Sequence, residues 1–167
     1  MIVGFVASAF ALAAAAGSGS AGDQTQPSAP AKAPAPAAEP PAAPAAPAGE
    51  PERITVQHIL IAFTGSPASK KPRTQEEARK LAYELLERAR KGEDFDALVK
   101  EHSEDRYPGT YSMVNNGVQP GPGEFARGRM VAAFGDTGFP LKVGEVGIAD
   151  FDPKKSPYGW HIVKRLK

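Results

Sequence analysis

The sequence predicts an α+β fold from three observations. Ile54 to Phe63 alternates with apolar residues on both faces of a strand. Ala78, Leu81, Ala82, Leu85, Leu86 and Ala89 recur at helical spacing, and two further strand-like runs, Val146 to Phe151 and Trp160 to Leu166, close the chain. Strands at both ends of one segment, with helices between them, imply helices covering a mostly antiparallel sheet in a domain of about 115 residues.

The first strand carries Ile54, Val56, His58, Leu60 and Ala62 on one face and Ile59, Ile61 and Phe63 on the other. Apolar residues on both faces mark a central strand, because a one-sided strand turns polar residues to water. Gly65-Ser66-Pro67 to Pro72 is a loop. Thr74 followed by Glu77 is a capping box, in which the hydroxyl takes an orphan N–H of the first turn and the carboxylate reaches back to the cap. That helix stops at Gly92, whose missing Cβ permits a left-handed turn. Asp94 caps a second, short helix that buries Phe95, Leu98 and Val99. Tyr107 to Pro122 is rich in Gly, Pro and Asn, with a short strand at Thr110–Val114. Arg129 to Gly135 reads as a helical turn that aligns Met130 and Phe134, four apart, on one face. An Asp-Pro-Lys-Lys-Ser-Pro loop joins the last two strands. The expected order is β, α, α, β, α, β, β, a four-stranded sheet with about four short helices.

Composition removes several classes of chemistry. The chain has no cysteine, which excludes disulfides, thiolate catalysis and Cys-based zinc sites. Lys32 is the single basic residue before Pro51, and Asp23, Glu39 and Glu50 are the acidic ones, so residues 51–167 carry 19 basic and 16 acidic side chains. That balance is too mild for nucleic acid as a main partner. No motif for a nucleotide or a covalent nucleophile is present. His58 and His161 lack a third ligand in a suitable setting, so neither metal nor cofactor is expected.

Ile2 to Ala16 is an uncharged apolar run ended by Gly17-Ser18-Gly19-Ser20. It is short for a membrane span, which needs about 20 residues. Its length and its Ala14-Ala15-Ala16 end fit a secretory signal over residues 1–22, although no Lys or Arg precedes it. An Ala-rich low-complexity tail is the other reading. Asp23 to Glu50 holds 8 Pro and 11 Ala in 28 residues, a disordered, extended spacer. Residues 51–167 are the folded domain. A periplasmic or secreted monomer is expected, with no integral span after processing, or a cytoplasmic one if this start is misread.

Four stretches then stand out together: Gln57-His58-Ile59-Leu60, Met130-Val131-Ala132-Ala133-Phe134, Leu141-Lys142-Val143-Gly144-Glu145 and Tyr158-Gly159-Trp160-His161-Ile162-Val163. In this order and at these distances they resemble the parvulin family of peptidyl-prolyl cis/trans isomerases, over about residues 53–167. The resemblance implies a parvulin-like (FKBP-like) fold, no cofactor, and proline-containing polypeptide clients.

The chemistry asks little of a catalyst. An Xaa-Pro bond has a barrier of about 18–20 kcal/mol between ground states only about 0.5–1 kcal/mol apart. Twisting the amide removes resonance, so the carbonyl loses negative charge and the nitrogen becomes more basic. A catalyst needs an apolar grip on the proline ring, exclusion of water, and polar groups arranged for the twisted state. By resemblance, Met130 and Phe134 line the proline pocket, with Phe139 as a third wall, where an i, i+4 pair read alone would be ordinary core. His58 and His161 would lie adjacent at its floor and shape a hydrogen-bond network with Ser103 as a candidate member. Asp105 matches the position next to the reacting carbonyl, where it would disfavour the planar amide or simply orient His58.

The chain also departs from the family pattern. Asn115 to Phe125 replaces the usual Gly-Gly-Asp-Leu-Gly, with Pro122 where a pocket Leu is expected. Tyr158 stands where Ser, Thr or Phe is usual and is either site or wall. Lys70, Lys71 and Arg73 form a basic loop beside the expected site, read as a solvated loop or a mild acidic preference more than a phosphate reader. Two rival functions follow: a non-catalytic chaperone on the same fold, and a signalling isomerase directed to phospho-Ser/Thr-Pro.

Overall fold

The computed structural model describes residues 47–167; the apolar segment and most of the Ala/Pro spacer lie outside the described residues. The order is β1 (Arg53–Ile61), α1 (Gln75–Arg90), α2 (Phe95–His102), β2 (Thr110–Val114), β3 (Glu124–Ala126), a 3-10 turn (Arg127–Arg129), α3 (Ala132–Gly138), β4 (Val146–Ala149) and β5 (Trp160–Arg165). The predicted α+β class holds.

The sheet runs β3-β2-β1-β5-β4. β1 is central, antiparallel to β2 through Arg53↔Val114 to Gln57↔Thr110 and to β5 through Val56↔Arg165 to Ile61↔Trp160. The sequence predicts four strands and the structure has five. The fifth, β3, is three residues long and sits parallel to β2, with Met113 opposite Phe125. Three residues between glycines and prolines carry no readable alternation, so only the pairing reveals them. Three helices and one 3-10 turn stand in place of about four short helices.

Local signals set the helix ends. Thr74 Oγ1 accepts from the Glu77 N–H at 3.2 Å and Glu77 Oε2 from the Thr74 N–H at 2.7 Å, completing the capping box. Asp94 Oδ1 accepts from the Asp96 N–H at the start of α2.

The third helix corrects the sequence reading. It begins at Ala132, not Arg129, and Met130 is extended, with φ −92° and ψ 166°. Met130 and Phe134 therefore do not share a helical turn. The 3-10 turn closes on Met130 through its N–H to the Arg127 carbonyl, and the new helix needs a non-helical entry residue, which Val131 supplies.

Each face of β1 has its own core. Ile59 and Ile61 pack with Leu85, Leu98, Val99, Trp160 and Ile162 beneath α1 and α2. Ile54 and Val56 pack with Met113, Phe134, Phe139 and Val163 beneath α3. The second face changes character along the strand: after Ile54 and Val56 it presents His58 and Leu60, and core gives way to cleft. Among the described residues no helix is long and apolar enough to cross a membrane.

Candidate active site

A cleft of about 340 Å³ opens on this face of the sheet. β1 supplies His58 and Leu60, β2 Tyr111, and β5 His161. Met130, Val131 and Phe134 come from the approach to α3 and its first turn; Glu104 and Asp105 follow α2; Ala68, Lys70 and Tyr158 come from loops.

Two glycines let the neighbouring chain close onto β1 on either side of the histidines, Gly109 just before β2 and Gly159 just before β5. Gly109 has φ +66°, and a Cβ there would meet the His58 carbonyl oxygen at 2.7 Å. Its carbonyl accepts from the His58 N–H at 2.9 Å. Gly159 has φ +139°, and a Cβ would stand 2.2 Å from the Ile61 carbonyl oxygen. Backbone occupies the space a side chain would need.

Polar groups at the floor form one chain. His58 Nδ1 is 3.1 Å from His161 Nδ1, and His58 Nε2 is 2.9 Å from Asp105 Oδ2. Tyr111 donates its hydroxyl to the same oxygen at 2.6 Å. A carboxylate only accepts, so His58 carries hydrogen on Nε2. With a neutral His58, Nδ1 then accepts from Nδ1–H of His161. His161 Nε2 is left with no partner among the described residues. The hydrogen bond from His58, assisted by Tyr111, holds the Asp105 carboxyl well below the usual carboxylate range, against an opposing burial effect. Burial, then the neighbouring His58 ring, lowers the pKa of His161. Burial and the Asp105 carboxylate raise that of the Tyr111 phenol.

The apolar wall stands over this chain. Phe134 is 2% exposed, and its ring meets His58 edge-on at 4.9 Å and His161 at 5.6 Å. Met130, Val131 and Leu60 complete it.

Of the residues singled out in the sequence, the cleft gathers His58, Asp105, His161, Tyr158, Met130, Phe134 and Lys70. Ser103 lies outside its lining: its Oγ accepts from the Leu60 and Asp105 N–H groups and ties β1 to the Asp105 turn. Phe139 also lies outside. It ends α3, 1% exposed in the second core, with the Arg127 guanidinium 4.8 Å from its ring centroid. Pro122 is exposed in the turn before β3, where Glu124 N–H donates to the Gly121 carbonyl, and does not reach the cleft.

The basic loop divides. Arg73 turns inward and pairs with Glu104, itself 2% exposed. Lys71 Nζ reaches the Glu101 carbonyl, outside the cleft. Lys70 alone of the three lines the cleft.

Two residues escape the sequence reading. Glu104 accepts from the N–H groups of Ala62, Lys70 and Lys71 as well as from Arg73, anchoring the loop that walls the cleft. Nothing local distinguishes it from a solvated glutamate beside Asp105. Tyr111 was legible only through the strand register that sets it opposite Val56.

Comparison with known proteins agrees with this geometry. A family model described as the PPIC-type PPIase domain matches residues 46–167. The chain is similar to the foldase protein PrsA of Caldanaerobacter subterraneus subsp. tengcongensis, 42% identical over 113 residues, covering 68% of this chain and 28% of that protein. It is similar to the chaperone SurA of Pseudomonas fluorescens, 34% identical over 122 residues, covering 69% of this chain and 23% of that one. The match thus spans about a quarter of these relatives' length. Among solved structures, the peptidyl-prolyl isomerase ESS1 from Candida albicans superposes with a TM-score of 0.54 at 25% identity, covering 70% of this chain and 63% of that one. By its sequence from residue 46 onward and by its fold, this chain belongs to the PPIC-type PPIase domain family.

Proposed function

We propose that the domain catalyses rotation about Xaa-Pro bonds in polypeptide clients, without a covalent step, and acts as a monomer in the cell envelope on exported chains. The observation that carries this reading is the juxtaposition of an apolar pocket with a fixed anion. Met130 and Phe134 flank the Tyr111–Asp105–His58–His161 chain in one cleft.

The apolar wall takes the pyrrolidine ring and sheds water from the bond. Asp105 Oδ2 is committed to His58 and Tyr111, and Oδ1 receives neither of those bonds. A carboxylate beside the substrate carbonyl penalises the planar amide, whose oxygen is most negative, and penalises the twisted amide less. Because the carboxylate is held ionised and in place, it needs no reorganisation as the bond turns. A thousandfold acceleration requires only about 4 kcal/mol of such preference. The histidines orient Asp105 and need not transfer a proton. Tyr158, at the cleft mouth, is the candidate donor to the carbonyl or to the twisted nitrogen.

The loop chemistry supports a mild acidic preference over phosphate recognition, since Arg73 is committed to Glu104 and Lys70 stands alone. The envelope location rests on the apolar run Ile2 to Ala16, and the foldase and chaperone names of the relatives fit work on unfolded chains. Mass spectrometry of the product tests that location: a mature N-terminus near Gly17 or Gly22 supports it, and an intact Met1 counts against it. NMR exchange on Xaa-Pro peptides, with Glu, Leu, Ala and phospho-Ser before the proline, tests the activity. No turnover of any of them by the folded protein leaves a chaperone on the same fold as the better account.

A further inference from the structure

Glu50 ends the Ala/Pro spacer, yet its side chain is only 13% exposed. Its Oε2 accepts from Arg127 Nη1 and, at 3.0 Å, from Asn115 Nδ2. Asn115, buried just past β2, also donates Nδ2 to the Pro51 carbonyl and its backbone N–H to the Glu52 carbonyl. A glutamate on a free tether keeps its carboxylate in water, because burying a charge is costly unless it is paired and hydrogen-bonded. Both conditions are met here, so Glu50 belongs to the fold.

Arg127 is the other half of this contact and reaches further. Its guanidinium donates to Asn115 Oδ1 at 3.0 Å and to Asp136 Oδ1, on α3, at 2.8 Å. Its stem fills the space over Gly135, where a Cβ would stand 3.0 Å from Arg127 Cγ. Its carbonyl accepts from the Met130 N–H at 3.1 Å. Met130 and Phe134 stand on either side of the break at Val131, one closing the 3-10 turn and the other in the first turn of α3. Arg127 holds both sides of that break, the turn through its backbone and α3 through Asp136. Neither Arg127 nor Glu50 lines the cleft.

We propose that Arg127, clamped by Glu50, is a positioning residue that sets the separation of Met130 and Phe134, and with it the width of the proline pocket. The inference rests on the isomerase reading of the cleft. It makes the end of the spacer part of the binding machinery as well as a tether. The pair acts through Met130 and Phe134, and the substrate does not touch it. What it fixes is the ring size the pocket accepts. Walls held at one separation tell proline from pipecolic acid, whose ring is one methylene larger, and walls free to move apart do not. An apolar pocket distinguishes one methylene by about tenfold or more. Arginine suits the post because its planar fork spans several acceptors at once, which a lysine ammonium does not.

The test uses the full 167-residue chain and an alanine-based peptide with a central proline, beside the same peptide with pipecolic acid in its place. NMR exchange gives kcat/KM for both peptides with the unmodified chain, Glu50→Gln, Arg127→Lys and Glu52→Gln, each shown to be folded by urea unfolding. Glu50→Gln lowers kcat/KM for proline about tenfold, less than the roughly hundredfold that a 1 Å misplacement can cost. It also lowers the proline-to-pipecolic ratio by about threefold or more, since the larger ring loses less. Arg127→Lys does the same, and should that chain not fold, Glu50→Gln decides alone. Glu52→Gln, at a side chain 80% exposed, changes neither quantity. A merely structural role lowers both peptides by one factor and leaves the ratio where it was. The inference is overturned by that result, by an unmodified chain that treats the two rings alike, or by Glu52→Gln matching Glu50→Gln. Should the unmodified chain turn over neither peptide, the isomerase reading fails separately. The positioning pair then stands or falls on whether Glu50→Gln, and not Glu52→Gln, shifts the Met130 methyl resonance.

Discussion

His58 and His161 lie stacked, with ring planes 11° apart and centroids 5.3 Å apart, and their Nδ1 atoms are 3.1 Å from one another. Side chains from adjacent strands face each other here, and a single hydrogen is shared between two nitrogens. Protonating His161 puts a positive charge on a buried ring, and burial holds its pKa below the ordinary histidine value.

Stability falls as pH drops below about 6.5, the ordinary histidine value. His161 has a lowered pKa in the folded state, so the unfolded chain binds a proton there that the folded one does not. Stability therefore rises with pH across this window, by at most about 1.4 kcal/mol per pH unit for one such group. Thermal unfolding between pH 5 and 8 measures the slope, and His161→Asn flattens it. Asp105, also lowered, adds a second loss only below about pH 4, where the unfolded carboxylate takes up its proton first. An unchanged slope in His161→Asn counts against this assignment.

Met130→Ala lowers kcat/KM about tenfold, or ~1.4 kcal/mol in the barrier. Met130 is only partly buried and ends the 3-10 turn, so its loss opens the pocket while leaving the core beneath α3 in place. Peptide exchange measured beside urea unfolding separates the effects: turnover falls while the unfolding midpoint moves little.

Asp105→Asn keeps an oxygen for His58 or Tyr111 but removes the charge. Turnover falls about a hundredfold, the lower end of the loss seen for one preorganised electrostatic group. Tyr111→Phe, which leaves the carboxylate ionised with one donor fewer, costs less. Equal losses in the two variants would point to orientation of His58, not charge, as the contribution of Asp105.

Glu104→Ala destabilises the fold by about 3 kcal/mol, because it strands the Arg73 guanidinium and three loop N–H groups. A double-mutant cycle with Arg73→Ala in urea measures the coupling. Arg73→Ala alone, which leaves Glu104 its three backbone donors, costs less.

Gly159→Ala is disruptive where Gly128→Ala is not. At Gly159 a Cβ collides with the Ile61 backbone at positive φ, whereas at Gly128 nothing lies within 4 Å. The first substitution costs about 2 kcal/mol or more and disturbs β5 beside His161; the second stays within about 0.5 kcal/mol. Paired thermal unfolding of the two variants checks the contrast.

Much of this fold is written locally. β1 reads as central because both its faces are apolar, and α1 reads from its spacing and its Thr74–Glu77 box. The short pieces do not read so well. β3 exists only by pairing with β2, and Met130 reads as helical because four-residue spacing is shared by a helical turn and by an extended residue entering a helix.

By itself the sequence determined the α+β class, the core faces of β1 and α1, and a set of chemistry-bearing residues that includes both histidines and Asp105. The class and the core faces follow from periodicity and residue type, which act over a few positions, whereas the histidines and Asp105 stand out through the resemblance to the parvulin pattern. The tertiary structure alone decided that Tyr111 shares Asp105 with His58, that Arg73 serves Glu104 instead of a ligand, and that Phe139 and Pro122 stay outside the cleft. Each of these depends on where strands and loops distant in sequence meet. The reach of a hydrogen bond, about 3 Å, is set by that meeting and not by spacing along the chain.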